Sequence, residues 1–183
     1  MINYILKVFF VSYQQRQHIN NLVGISVILA GLFALGFAWL AQNIWNMAPC
    51  GLCLLERWPY RILIAAGTLL LMARGALVPW VKAIIVLILV ASLGLSFVHI
   101  GVEEGWWVSP LPECYAVASN TQDLATRFME MPDRPHKPCD LPSYLFHWLP
   151  ISLTMMNGLY SLVLLIWVLI SNQIEKNCSG KFR

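Results

Sequence analysis

Pro49-Cys50-Gly51-Leu52-Cys53-Leu54-Leu55-Glu56-Arg57 divides the first long apolar run of this chain from the second. Two cysteines stand three residues apart, and an arginine follows four residues after the second. Proline suits a first helical turn. A helix starting near Pro49 would put Cys50, Cys53 and Arg57 at i, i+3 and i+7, on one face. The positive end of such a helix and the Arg57 guanidinium both favour a thiolate over a thiol. The stretch reads as a reactive redox pair at the mouth of a membrane segment.

Composition supports the membrane. The 183 residues are 58% hydrophobic and 11% charged, with a mean hydropathy of +0.65. A soluble domain carries about 25% charged residues. Charge-free intervals fall at 17–55, 62–73, 83–102 and 141–174. Three of them hold the roughly 20 apolar residues that a crossing needs. The second is short, and it crosses if Arg57 and Arg61 snorkel at one end and Arg74 at the other; a re-entrant segment is the alternative. The expected fold is all-α: an integral membrane four-helix bundle, one domain over 1–183. Its spans are expected at roughly 22–40, 54–72, 80–99 and 148–170. The net charge of +3 and the absence of a basic run give no reason to expect nucleic acid. The apolar run after Arg16 is too long for a signal-peptide core and reads as a retained span.

Residues 1–20 mix polar and apolar character, as an interfacial segment lying on the membrane does. Gly24, Gly31 and Gly36 in the first span leave room for close helix contact. Loops are expected at 41–53 and 100–147. Within the second, Ser119-Asn120-Thr121-Gln122 resembles a capping box, and Leu124, Phe128 and Met131 follow at helical spacing. This predicts one short amphipathic helix on the membrane surface, ended by Pro132. Pro135 and Pro138 keep the approach to Cys139 extended. The fourth span has Pro150 in its first turn.

Four spans put both termini and the 73–82 turn on one side, with Lys7, Arg16, Arg74, Lys82, Lys176, Lys181 and Arg183. The positive-inside rule assigns that side to the cytoplasm, against the opposing Arg57 and Arg61. The cysteines at 50, 53, 114 and 139 then face outward, where disulfides persist. Cys178 is left as a free thiol in the cytoplasmic tail.

Four cysteines allow three pairings, and 50–53 is the only local one. A second pair, 114–139, closes a loop, which the chain-entropy account makes worth roughly 3.5 kcal/mol. Such a bridge is a structural staple or an exchange partner; two pairs facing one compartment in a small bundle favour exchange, since a thiolate need only reach a disulfide sulfur. Zinc is the rival reading, with Cys114, Cys139, His136 or His99 completing the ligands. It lacks a second closely spaced ligand pair, so no metal is expected. Arg57 and His99 also have plain readings, as an interface anchor and as a helix-end residue.

At these residues the chain resembles the DsbB family of bacterial disulfide-bond-forming membrane proteins. The resemblance spans all four apolar segments. It is carried by Pro49 to Cys53 with Glu56-Arg57, by His99-Ile100-Gly101-Val102-Glu103, and by Cys114 and Cys139. It implies a thiol:quinone oxidoreductase of the bacterial inner membrane. A reduced DsbA-like periplasmic partner attacks the Cys114–Cys139 disulfide at Cys114. Cys139 is released and attacks Cys50. Cys53, freed beside Arg57, donates to ubiquinone or menaquinone held near Arg57, Glu56 and His99. With DsbA near about −120 mV, only a strong acceptor can reoxidise it. Pro110-Leu111-Pro112-Glu113-Cys114 suits an extended peptide in a partner's groove. The alternatives are a vitamin K epoxide reductase-like redox bundle and a non-enzymatic anchor whose cysteines are staples or zinc ligands. The former often goes with a thioredoxin-like domain, absent from this sequence, and its order of cysteine pairs fits less well.

Overall fold

A computed structural model describes residues 2–111, 114, 138–144 and 151–180, with side chains from Gln14 to Asn177. The amphipathic helix expected after Ser119 lies outside these residues, as do His136 and Pro150. The described residues are helical, apart from turns and one isolated bridge between Tyr144 and Ser152. Five helices follow in order: α1 (Ile2–Asn43), α2 (Gly51–Leu55), α3 (Arg57–Met72), α4 (Leu77–Glu103) and α5 (Leu153–Gly180). The four long ones form the bundle. α1 packs on α3, α3 on α4, α4 on α5, and α5 returns to α1.

Among the described residues, three stretches are long and apolar enough to cross a membrane: Gln14–Asn43, Leu77–Glu103 and Leu153–Asn177. α3 has 16 residues and a length of about 24 Å. The expectation of a separate interfacial segment over residues 1–20 is corrected. Helix runs unbroken from Ile2 to Asn43: no proline falls anywhere in it, and Asn20, Asn21 and Gly24 stand inside the run without ending it.

Local chemistry sets the other boundaries. Asn46 takes φ 51° beyond the end of α1, a conformation that asparagine tolerates better than most residues. α2 starts at Gly51, with Cys50 outside the helix as its cap: the Cys50 Sγ accepts the Cys53 N–H at 3.1 Å. α2 ends at Leu55 for a reason visible four residues on. Pro59 has no N–H to give the Leu55 carbonyl, and its ring crowds that carbonyl. Glu56 therefore stands at a one-residue interruption before α3. α4 closes in a Schellman arrangement. Gly105 (φ 72°) donates to Val102 O at 3.2 Å, and Trp106 donates to Gly101 O at 2.8 Å. α5 begins at Leu153, later than the expected 148, where the Ser152 Oγ accepts the Met155 N–H at 3.2 Å.

Close approach of α1 and α3 rests on three glycines. A Cβ on Gly24 would meet the Gly67 carbonyl at 3.2 Å, one on Gly67 would meet the Gly24 carbonyl at 3.0 Å, and one on Gly31 would lie 3.1 Å from the Tyr60 carbonyl. Gly36 has nothing within 4 Å of a would-be Cβ, so its expected part in this contact is corrected. Val23, Val27, Leu63, Leu70, Ile85, Leu89 and Val168 fill the centre. The outer surface carries large apolar side chains such as Leu29, Phe33, Met72, Leu87 and Ile170. Serines 92, 96, 161 and 171 are buried instead. Small polar side chains turned inward and large apolar ones turned outward are what a lipid solvent selects.

Candidate active site

One end of the bundle gathers the chemistry. The end of α1, the start of α3, the end of α4 and the start of α5 all meet there. Cys50 and Cys53 are disulfide-bonded, with Cα atoms 5.1 Å apart. Cys114 and Cys139 form a second disulfide, with Cα atoms 4.9 Å apart. Cys50, Cys114 and Cys139 are buried in one cluster with Leu52 and Val102, and Cys53 and Leu111 pack against it. Two backbone bonds hold the second pair: Cys114 N–H to Leu111 O at 3.1 Å, and Cys139 N–H to Cys114 O at 3.3 Å.

His99 lies at the centre, 1% exposed. Its Nε2 is 3.5 Å from the Cys50 Sγ. Its Nδ1 is 3.1 Å from Glu56 Oε1. A carboxylate only accepts, so Nδ1 carries the proton and donates to Glu56. Nε2 then faces the sulfur, with Glu103 Oε1 3.9 Å away. This is the geometry of a base oriented by a carboxylate. Glu103, one turn after His99, accepts from Ser152 Oγ and from Thr154 Oγ1, each at 2.7 Å. Ser152 thus caps α5 and ties it to α4 with a single hydroxyl.

A row of polar groups runs inward from Glu56. Asn157 Nδ2 donates to Glu56 Oε2 at 3.1 Å and to Ser96 Oγ at 3.0 Å. Tyr60 donates to Asn157 Oδ1 at 2.5 Å and meets Ser161 Oγ at 2.9 Å. Ser161 in turn meets Ser92 Oγ at 3.0 Å. This row fixes Glu56, and through it the ring of His99.

Beside the disulfide opens a cavity of about 270 Å³. Cys50, Cys53, Glu56, Arg57 and His99 line it on one side; Phe33, Phe37, Met47 and Tyr160 supply apolar wall. Arg57 Nη1 donates to Gln42 Oε1 at 3.1 Å, which ties α3 to the end of α1.

The expected site residues Cys50, Cys53, Glu56, Arg57 and His99 therefore share one cavity wall, and Cys114 and Cys139 back onto Cys50. The sequence reading missed Gln42, Glu103, Ser152, Thr154, Asn157 and Tyr60. One signal was available for Asn157: an amide inside an apolar span is costly and marks a built contact. Another was the helical spacing of His99 and Glu103. For the rival zinc reading, one Nε2 or Sγ atom from each of Cys50, Cys53 and His99 lies within 4.8 Å of the others. Those sulfurs become thiolate ligands only once the disulfide is opened. Cys114 and Cys139 are bonded to each other, and among the described residues they are not part of that group.

Comparison with known proteins places the chain in a family. The profile of the family described as disulfide bond formation protein DsbB matches residues 20–171. An uncharacterized protein, RP370, of Rickettsia prowazekii (strain Madrid E) is 31% identical over 169 residues, covering 91% of this chain and 90% of its own. This chain belongs to the DsbB family. No solved structure matches it significantly. DsbB membership makes it a membrane protein of disulfide bond formation. The family is generally quinone-linked and implies a DsbA-like partner. The donor set fits such a cofactor: the cavity offers apolar walls for a ring, with the Arg57 guanidinium and a cysteine at its edge.

Proposed function

We propose that this protein is a quinone-dependent thiol oxidase that reoxidises a DsbA-like periplasmic dithiol protein. The observation that carries this reading is the shared burial of Cys50, Cys114 and Cys139 in one cluster. Once a partner opens one of two disulfides packed together, the thiolate released is close to the other and can attack it.

In this reading a partner thiolate attacks Cys114, and Cys139 leaves as a thiolate. Cys139 then attacks Cys50, and Cys53 is released. The partner's second thiolate then attacks its own half of the mixed disulfide and releases Cys114, and Cys114 attacks Cys139 and expels Cys50, which restores the Cys114–Cys139 bridge. The Cys53 N–H donates to the Cys50 sulfur as it leaves, His99 Nε2 lies 3.5 Å from it, and loss of two electrons from Cys50 and Cys53 re-forms their disulfide. Arg57 and Gln42 border the cavity that Cys53 faces. A bound quinone would supply the two-electron acceptor there. Ubiquinone and menaquinone both fit this role. The positive-inside bias and the oxidising chemistry of the cysteines favour the bacterial inner membrane, with both termini cytoplasmic. α3, continued by α2, serves as the fourth crossing.

The test is turnover of a reduced dithiol partner by purified protein with quinone. Cys53→Ser is expected to abolish it while the Cys114–Cys139 bridge still forms. Undiminished turnover in that variant would sink the proposal.

A further inference from the structure

Cys50, Cys53 and His99 bring two sulfurs and an imidazole nitrogen within 4.8 Å of one another. All three residues line the cavity of about 270 Å³. While the disulfide stands, its sulfurs carry no charge to offer a metal. Once it is opened, the separations suit an ion of the zinc type. Bonds of about 2.3 Å to sulfur and about 2.0 Å to imidazole, set at a tetrahedral angle, put the two donor atoms about 3.5 Å apart. His99 Nε2 and Cys50 Sγ are 3.5 Å apart. Two cysteines with two residues between them are a common zinc pair, and Cys53 has only to turn its side chain about a Cα that lies 5.1 Å from that of Cys50.

The surroundings fit the same ion. His99 Nδ1 donates to Glu56 Oε1 at 3.1 Å, and a carboxylate on the far nitrogen is how metal-bound histidines are held. Asn157 fixes that carboxylate in turn, and Glu103 is engaged by Ser152 and Thr154. With both carboxylates committed to hydrogen bonds, the ligands left to a metal are sulfur and nitrogen. That set selects zinc over magnesium or calcium. Two thiolates cancel a divalent charge, so the loaded site adds no net charge to a buried wall. The fourth position falls to a cavity water, as in zinc sites with three protein ligands.

We propose that the reduced Cys50–Cys53 pair and His99 form a zinc site, which is lost when the disulfide re-forms. Two electrons from a dithiol open the disulfide. The ion then replaces both thiol protons, which pass to solvent with any proton on Nε2. No electron moves on binding. Zinc has no redox chemistry of its own, so the bound ion holds the sulfurs reduced and withholds them from an acceptor. That block on turnover rests on the oxidase reading above; binding itself needs only an opened disulfide.

The full chain in detergent, reduced with a phosphine and cleared of it, is titrated with Co²⁺ in the absence of oxygen, and Zn²⁺ is then added. One Co²⁺ per chain is expected, with a sulfur-to-cobalt charge-transfer band and the strong visible bands of a four-coordinate ion. Zn²⁺ is expected to displace it and to shield Cys53 from maleimide until a chelator is added. X-ray absorption at the zinc edge is expected to count two sulfurs and one imidazole per ion. Glu56→Gln is expected to weaken binding about tenfold or more, and His99→Ala further, with the helical circular dichroism unchanged; Cys178→Ser is expected to bind as the native chain does. Absence of binding by the reduced chain, equal binding by the oxidised chain, unchanged affinity in His99→Ala, or four sulfurs per ion would overturn the proposal. None of these readouts uses quinone or a partner, so failure of the metal site and failure of the oxidase reading are told apart.

Discussion

His99 has one nitrogen on a carboxylate and the other on a sulfur. Such a ring contributes only while both contacts hold. His99→Ala is therefore expected to slow dithiol oxidation about 100-fold or more, the lower range for a positioned base. Both disulfides are expected to remain formed, as non-reducing thiol trapping would show. If the His99 contact with Cys50 were mere packing, turnover would stay near that of the native sequence. At this scale the sequence was legible where chemistry is written in local spacing. The Cys50–Cys53 pair and Arg57 stand within eight residues. What could not be read was the pairing of His99 with Glu56, which is 43 residues away. No periodicity carries information across that distance. Cys50 as a cap was also out of view, because the helix was expected to start near Pro49, two positions before its start at Gly51.

The helices were legible from hydropathy, but their contacts were not. Gly24, Gly31 and Gly36 look alike in sequence, yet only the first two face α3. Their spacing of seven keeps Gly24 and Gly31 on one side of α1, and Gly36 falls off that face. Gly31→Leu is expected to force α1 and α3 apart and cost about 1–3 kcal/mol, as overpacking does. Gly36→Leu is expected to change little. Thermal unfolding in detergent separates the two, and equal losses would mean that the glycine face is not where the helices touch. A similar argument applies to Gly101, where a Cβ would collide with the Trp107 ring. Trp107 holds the end of α4 through Nε1 to Val98 O at 3.0 Å. Gly101→Val is expected to displace that indole and shift its fluorescence. Pro59 shows how a boundary can be present in sequence and still be overlooked. Its effect appears four residues earlier, at Leu55.

For the molecule as a whole, the two ends divide the work. Sulfur chemistry occupies one, and a charge clasp joins three helices at the other. Glu175→Gln leaves Lys82 buried without its carboxylate, and breaking such a pair costs about 3–5 kcal/mol. Arg16→Gln, at a half-exposed partner, is expected to cost under about 1 kcal/mol. Comparable melting temperatures for the two variants would mean that Lys82 does not depend on Glu175. At the sulfur end, the triple variant Cys53→Ser/Cys114→Ser/Cys178→Ser keeps Cys50 and Cys139 alone. Mild oxidation is expected to join them, as a peptide map would show. Failure to join would place them too far apart for a relay.

The row from Ser92 to Glu56 has a direction. Tyr60 gives its hydrogen to Asn157, so Ser161 must give its own to Tyr60, and Ser92 to Ser161. The hydrogens along this row therefore run toward one carboxylate, with a second hydrogen of Asn157 going to Ser96, and His99 feeds the same carboxylate with its Nδ1 hydrogen. Glu56 is a drain with no outlet. Place an amide there, and an added hydrogen faces others arriving, with nowhere to settle. Glu56→Gln should consequently disturb the hydroxyl of Ser92, two helix turns deeper, more than a substitution that merely empties the position. Infrared spectra of the two variants would tell that difference apart.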